Sequence, residues 1–349
     1  MNMFDTPAQA HQVIEERFAP DMVEMIASQL RPVVVFSVQD ADRKGGSRIG
    51  GVPDLPKDTE WPRRPVPENT DEIAKRAGEP YDKELRAHLA GGLPYAFFAQ
   101  VDLGEAAGLG EVASCLPSEG RLLFFYDMIA GPFDSGTQSA KVIWDRSPSD
   151  SLLQAAVPAE LSDAAAAYRQ MAEQTNKQYG LQPETRAPGA PQPGTSYGGP
   201  SRPMALKLAL QLPVYSSLEF QASGRLEKTY SADRAVVGGS QKFSQAYGEL
   251  SGEYYPGNQL LGAPVPVQDD PRYDAVVVSE YNTQFLSGED WAKNRDKVIE
   301  KAKEWRLLLQ VEVSDWMQDS AEGTVYFLIR EKDLENRAFD RVVAVYQQT

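Results

Sequence analysis

Apolar residues in this chain fall into short, dense runs rather than long periodic stripes, and glycine or proline closes most of the runs. The first thirty residues are the exception. Thr6 and Gln9 form a capping box with Pro7 at the first helical position, and Val13, Ile14 and Phe18 follow at helical spacing. A second helical pattern covers residues 21–30, and VVVFSV at 33–38 is short and β-branched, which predicts a strand. Residues 71–89 read as a charged surface helix interrupted by Gly78 and Pro80. YAFFAQVDL (95–103), RLLFFYD (121–127) and KVIW (141–144) are predicted strands, and 152–178 is helical in pattern. Proline and glycine crowd 179–203, which predicts a long loop between two halves. Beyond it come a poorly alternating strand, MALKLALQLPVY, a polar helical stretch at 231–250 and a helix at 289–305 carrying Trp291, Val298, Ala302 and Trp305. Strands LLLQVEV (307–313), TVYFLIR (324–330) and VVAVYQ (342–347) close the chain.

The runs also repeat. GGVPDLP at 50–56 aligns with LGAPVPV at 261–267, FFAQVDL at 97–103 with LLLQVEV at 307–313, and EGRLLFFYD at 119–127 with EGTVYFLIR at 322–330. Gly51 to Gln100 is 49 positions and Gly262 to Gln310 is 48, so the order and the first interval are both kept. We read a degenerate duplication. Each copy places one glutamine, Gln100 or Gln310, inside an apolar strand. A buried amide needs hydrogen-bond partners. Either each glutamine ties down the backbone of a Gly-Pro loop, which we favour, or the pair lines a polar cleft between the repeats.

Composition narrows the setting. Basic residues number 35 against 50 acidic, a net charge of −15, which repels phosphate backbones and anionic lipid, so neither nucleic acid nor membrane is an expected partner. A single cysteine, Cys115, allows no intramolecular disulfide, and the N-terminus has no apolar run of signal-peptide length, so a cytoplasmic location is expected.

Motifs for common chemistries fail on context. GTSYG at 194–198 has the letters of a nucleophile elbow, but it lies in the Pro/Gly segment, and His11 and His88 both precede it. GLGEVA at 108–113 leaves no room for a crossover helix before the next strand, so a hairpin-type connection is expected. GPFDSGTQ at 131–138 and KGGSRIGG lack the features of a phosphate-binding loop. Two histidines and one cysteine predict no metal site, and no cofactor is expected. Asp269 and Asp270 read as a turn ahead of Pro271.

The succession SRIGGVPDLP, Trp61-Pro62, FFAQVDL, LPSEGRLLFFYD, NQLLGAPVPVQDDP and EWRLLLQVEV resembles the YwqG-like family over about Pro32 to Val345. Gly50, Gly51, Pro53, Leu55, Pro56, Trp61 and Pro62 match its first motif, and Gln259, Leu261 and Gly262 its second. Ala263-Pro264-Val265 departs from it, because relatives often show an aromatic and an acidic residue there. The resemblance implies a bacterial, cytosolic, single-chain protein without an established role, with a suggested genomic link to toxin–immunity systems, and it supplies no catalytic residues.

The expected fold is α+β: mainly antiparallel sheets in two similar halves about a pseudo-two-fold, with helices packed outside. Residues 1–31 form helices packed on the first half. The first β-rich half spans 32–150, a helix plus linker or insert spans 151–204, and the second half spans 205–349. Three functions stay open, and the missing catalytic sets tilt the choice away from an enzyme. One is an interaction or scaffold protein, immunity-like, whose acidic surface holds a basic protein partner. Another is a small-molecule binder with a cleft between the repeats, its candidate ligand residues being Arg48, Asp54, Trp61, Gln100, Asn258, Gln259 and Gln310. The third is an enzyme using Asp54, Asp102 or Asp270 as acid and base.

Overall fold

A computed structural model describes residues 3–181, 192–234, 236, 241–253 and 257–348. Twelve strands form among them: β1 (Arg31–Val38), β2 (Arg48–Ile49), β3 (Asp54–Pro56), β4 (Ala96–Asp102), β5 (Arg121–Tyr126), β6 (Ala140–Asp145), β7 (Leu152–Gln154), β8 (Arg202–Gln211), β9 (Gln259–Leu260), β10 (Trp305–Glu312), β11 (Thr324–Arg330) and β12 (Val343–Gln347). Ten of them make one sheet in the order β12-β11-β10-β9-β1-β8-β2-β4-β5-β6, every neighbouring pair antiparallel. The short β3 pairs with β7 apart from it. The fold is therefore α+β, but the halves share one sheet instead of building separate ones.

Its centre is the full-length pairing of β1 with β8, from Arg31 opposite Gln211 to Val38 opposite Met204. Each of these strands crosses over to the other half of the chain. β1 lies beside β9, and β8 lies beside β2. Outward from there the flanks run in parallel, a two-residue strand followed by three longer ones. β4 is bulged at Phe98 and β10 at Leu308, each two residues before its glutamine. The sheet curls until its ends nearly meet. Gly136, just ahead of β6, and Ala344 in β12 exchange two backbone hydrogen bonds of 3.0 and 3.2 Å, which joins the two ends at one point.

Curling buries both faces of most strands, so the runs are continuously apolar despite antiparallel pairing. On β5, Leu122, Phe124 and Tyr126 point into the central core, while Leu123 and Phe125 pack outward with Leu55, Tyr95 and Phe97. Trp316, in the short helix after β10, lies inside against Phe98 (4.0 Å, stacked) and donates its indole N–H to the carbonyl of Phe97. Helices cover the outside. The N-terminal pair packs with Phe220, Phe243 and Tyr247, and helices Pro271–Glu280 and Gly288–Ala302 pack near Trp305, Leu307 and Val345.

Most predicted elements are present. Thr6 caps the first helix by accepting from the Gln9 N–H, and 71–89 splits into Thr70–Ala77 and Tyr81–Gly91 around Gly78 (φ +74°). Residues 152–178 open with β7 before the helix Ala159–Gln178 begins. The predicted helix at 289–305 ends at Ala302, and Trp305 opens β10 opposite Arg330. Its indole still packs with Val298 and Ala302, so helical apolar spacing persists across a turn where the backbone has left the helix. The stretch 231–250 holds the end of the helix Arg225–Ala232 and most of Phe243–Ser251. Residues 235 and 237–240, and 182–191 of the predicted loop, lie outside the described residues.

Phe327 on β11 meets Phe124 at 5.1 Å and Phe98 and Tyr126 at 6.2 Å, so it joins the two flanks across the core. Phe327→Ala should cost about 3–5 kcal/mol, read as a lower urea midpoint with an unchanged slope.

Candidate functional site

The narrowest strands, β2 and β9, each lead into a tight corner. After β2, Gly50 and Gly51 turn the chain at φ +69° and +74°; after β9, Leu261 and Gly262 do so at +60° and +80°. The first corner requires glycine for a second reason, because a Cβ on Gly50 would lie 2.3 Å from the carbonyl oxygen of Pro200.

Polar side chains hold both corners from within. Gln100 accepts from the backbone N–H of Asp54 (2.9 Å) and donates to the carbonyl of Gly46 (2.8 Å). Gln310 accepts from the N–H of Val265 (3.0 Å) and donates to the carbonyl of Gly257 (3.0 Å). Both amides are fully buried, and each ties down the loop of its own half. Opposite Gln100 in register stands Arg48, and opposite Gln310 stands Gln259. Arg48 donates to the carbonyl of Val52 (2.9 Å), and Gln259 donates to that of Ala263 (2.7 Å), each four residues on.

The chemistry of the two corners differs. Arg48 grips the buried carboxylate of Asp54 with both terminal nitrogens (2.6 and 3.2 Å), and Asp54 also accepts from the Gly45 N–H (2.7 Å) and the Gln100 amide (3.1 Å). In the second corner Gln259 and Val265 take the places of Arg48 and Asp54, so the site is neutral. Each solution leaves one buried atom without a protein partner among the described residues, Nε of Arg48 and Oε1 of Gln259.

Five of the seven candidate ligand residues, Arg48, Asp54, Gln100, Gln259 and Gln310, are thus buried in corner bonding. Asn258 bridges Asp315 (2.7 Å) and the Glu312 N–H (2.8 Å). Trp61 donates to the carbonyl of Tyr95 (2.8 Å) and faces a small cleft. Of the carboxylates considered as acid and base, Asp102 caps a short helix and pairs with Arg43, and Asp270 caps the helix Pro271–Glu280 while bonding Arg272. Ser196, in GTSYG, lies in a turn closed by two 2.9 Å hydrogen bonds between Thr195 and Gly198, without the strand–helix context of an elbow. Short helical turns join β4 to the antiparallel β5, the hairpin-type connection expected around GLGEVA.

The corners line different clefts. Gly51, with Trp61, Phe97 and Gly199, borders one of about 270 Å³ beneath the helix Ala159–Gln178. Gly262 borders one of about 720 Å³, whose lining includes Leu307. Phe97 stands three residues before Gln100, and Leu307 three before Gln310, so the two clefts occupy corresponding places. The larger draws on both halves, with Arg31, Val112 and Cys115 from one side and Leu261, Arg306 and Arg337 from the other. Composition could not reveal this site, because its arginines lie far apart in sequence and the acidic total hides them.

Two further buried charge networks escaped the sequence reading. His88 and Arg64 both bond Asp127, and Arg64 continues to Asp134 (2.6 Å). Burial works against the ionised form of Asp127, but the His88 hydrogen bond and charge, with Arg64, hold its carboxyl below the ordinary range. Arg272 bonds both Asp270 and Glu219, and it overcomes burial to hold the Glu219 carboxyl low. The only local hint was the DDPR string at 269–272.

Residues 47–347 match a family described as a domain of unknown function (DUF1963). No curated protein matches the chain. Among the described residues, no helix is long and apolar enough to cross a membrane, and no three His, Cys, Asp or Glu side chains gather where they could hold a metal ion.

Removing one partner of a buried ion pair strands the other charge. Arg48→Met should therefore destabilise the protein by about 3–5 kcal/mol, whereas the double variant Arg48→Gln, Asp54→Val, which installs the second corner's residues, should recover most of that in urea unfolding. A double variant no more stable than Arg48→Met would contradict this account.

Asp274 supplies a pH test. Burial, with Asp269 and Asp270 adding to it against the Gln347 hydrogen bond, pushes its carboxyl up to about 6. An acid with a raised folded pKa favours folding below its unfolded value, and that contribution is lost as pH rises through 6. Asp274→Asn should raise the melting temperature over wild type at pH 8, with the gain vanishing near pH 4.

Proposed function

The chain belongs to the DUF1963 family, a domain of unknown function, and from its own geometry we propose that it binds a small molecule in the cleft beside the second corner. The carrying observation is a concavity of about 720 Å³ walled by both halves of the chain, within the size range of small-molecule sites. Its floor is pinned by the Gln259 and Gln310 bonds, so the site is preformed and little ordering cost opposes binding. The net charge of −15 supports the alternative of a basic protein partner but names no face for it, whereas the cleft names residues.

The same proposal takes the two flanks as copies of one unit, related by a pseudo-two-fold that exchanges β1 with β8. The matching glutamine bonds, bulges and corner dihedrals support it. It also keeps the closer kinship with YwqG-like proteins that the ordered motifs suggest.

Thermal-shift screening of a metabolite library tests the binding. A ligand at a hundredfold excess over its Kd stabilises by about 2.7 kcal/mol. Hits should lose their effect on Ser114→Trp, which obstructs the large cleft from an exposed position, and keep it on Ser162→Trp at the small one. An absence of hits at high ligand concentration, or hits indifferent to Ser114→Trp, would overturn the proposal.

A further inference from the structure

We propose that the ligand of the large cleft is an organic anion with an apolar body, its acid group taken by Arg31 and Arg337. This rests on the reading that the cleft binds a small molecule. Four arginines line it against three glutamates, and with Asp270 behind Arg272 the charges there balance, in a chain of net charge −15. Two of the four are already matched, Arg272 by Asp270 and Glu219 and Arg306 by Glu331 at 2.9 Å.

Arg31 and Arg337 are not matched in this way. Arg31 uses Nη1 alone, donating to the carbonyls of Ser28 (3.1 Å) and Leu30 (3.0 Å). Arg337 also uses Nη1 alone, donating to the carbonyls of Cys115 and Leu334 (3.3 Å for the latter). In both, the edge formed by Nε and Nη2 has no protein partner among the described residues. That edge is a two-donor fork that suits a carboxylate or phosphate. Anchoring through Nη1 also restricts each side chain, so binding an acid there loses less conformational freedom.

Apolar side chains share the lining with these groups. Leu261, Ala263, Leu307 and Leu334 contribute buried side chains to the lining. A bare inorganic anion would leave that surface wet, and a neutral hydrocarbon would leave the forks without their best partner. Exposed Glu335 also borders the cleft and makes no ion pair among the described residues, so it opposes an anion and offers a second handle.

Calorimetric titration of the full chain with octanoate, 1-octanol and acetate tests the assignment. Octanoate should bind at least about tenfold more tightly than either other probe, and Arg31→Ala and Arg337→Ala should each weaken it at least about tenfold. Arg337→Lys, which keeps the charge and loses the fork, should weaken it less, and Glu335→Gln should tighten it. Octanol binding as tightly as octanoate, or octanoate affinity unchanged in both alanine variants, overturns the anion assignment while the cleft reading stands. So does an absence of binding by all three probes when library hits remain sensitive to Ser114→Trp. Absence of both overturns the cleft reading as well.

Discussion

Two strands of the ten-stranded sheet are only two residues long, and each sits between longer neighbours in a place with no access to water. A strand that short satisfies few of the polar groups in the chain around it. The corner that follows turns through left-handed dihedrals; its first amide still reaches the neighbouring strand, Gly50 to Phe98 and Leu261 to Leu308, but the loop beyond leaves the ladder, and buried backbone groups left unbonded are costly. The glutamines meet this constraint. Gln100 and Gln310 each accept one N–H from the loop behind the corner and donate to one carbonyl ahead of the short strand, and the residue across the ladder, Arg48 or Gln259, supplies another donor. Without these side chains, β2 and β9 would have no fixed exit, and the sheet would lose the links that join its flanks to its centre.

Those links matter because of how the centre is built. β1 and β8 pair with each other along their whole length, and each carries the short strand of the other half on its far edge. Neither half can therefore complete its own flank alone. The ring is then drawn together by aromatic packing, with Phe327 of one flank against Phe124 of the other and Trp316 over Phe98, and by the Gly136–Ala344 contact at the seam. A cleft between halves built this way has walls from distant sequence positions but a floor fixed by local bonds.

That division explains what could be read in advance. The strands were legible because their residues are β-branched or aromatic and closure buries both faces, which gives unbroken apolar runs. The glutamines were legible because an amide in such a run has to be bonded, and the favoured choice, local ties to the Gly-Pro loop, is the geometry found. Arg48 and Asp54 were legible only as polar residues near a motif; that they close on each other depends on a turn whose dihedrals sequence spacing does not give. Trp305 followed helical spacing across a change of backbone, since its ring and those of the helix share one cluster. Arg31 and Arg337, 306 positions apart, had no local signal, because tertiary closure alone brings them to one cavity.

The corresponding places of the two clefts also show why one is large. Pro203 pairs with Arg48 as Val35 pairs with Gln259, so Gly199, four residues before Pro203, stands where Arg31 stands, four before Val35. Ahead of β8 the chain runs back over the first corner. The Gly51 N–H donates to the Gly199 carbonyl at 2.8 Å, and the Gly194 N–H reaches Met317 at 2.6 Å. Glycine fits there because a Cβ on Gly199 would lie 2.3 Å from the Trp316 carbonyl oxygen. Ahead of β1 the chain instead arrives from the helix Pro20–Ala27 through Ser28–Leu30, and Arg31 is exposed beside the second corner. The corners share one bonding scheme, so what separates the small cleft from the large one is the segment entering the lead strand. Where that segment covers the corner, a glycine faces it; where it does not, an arginine does.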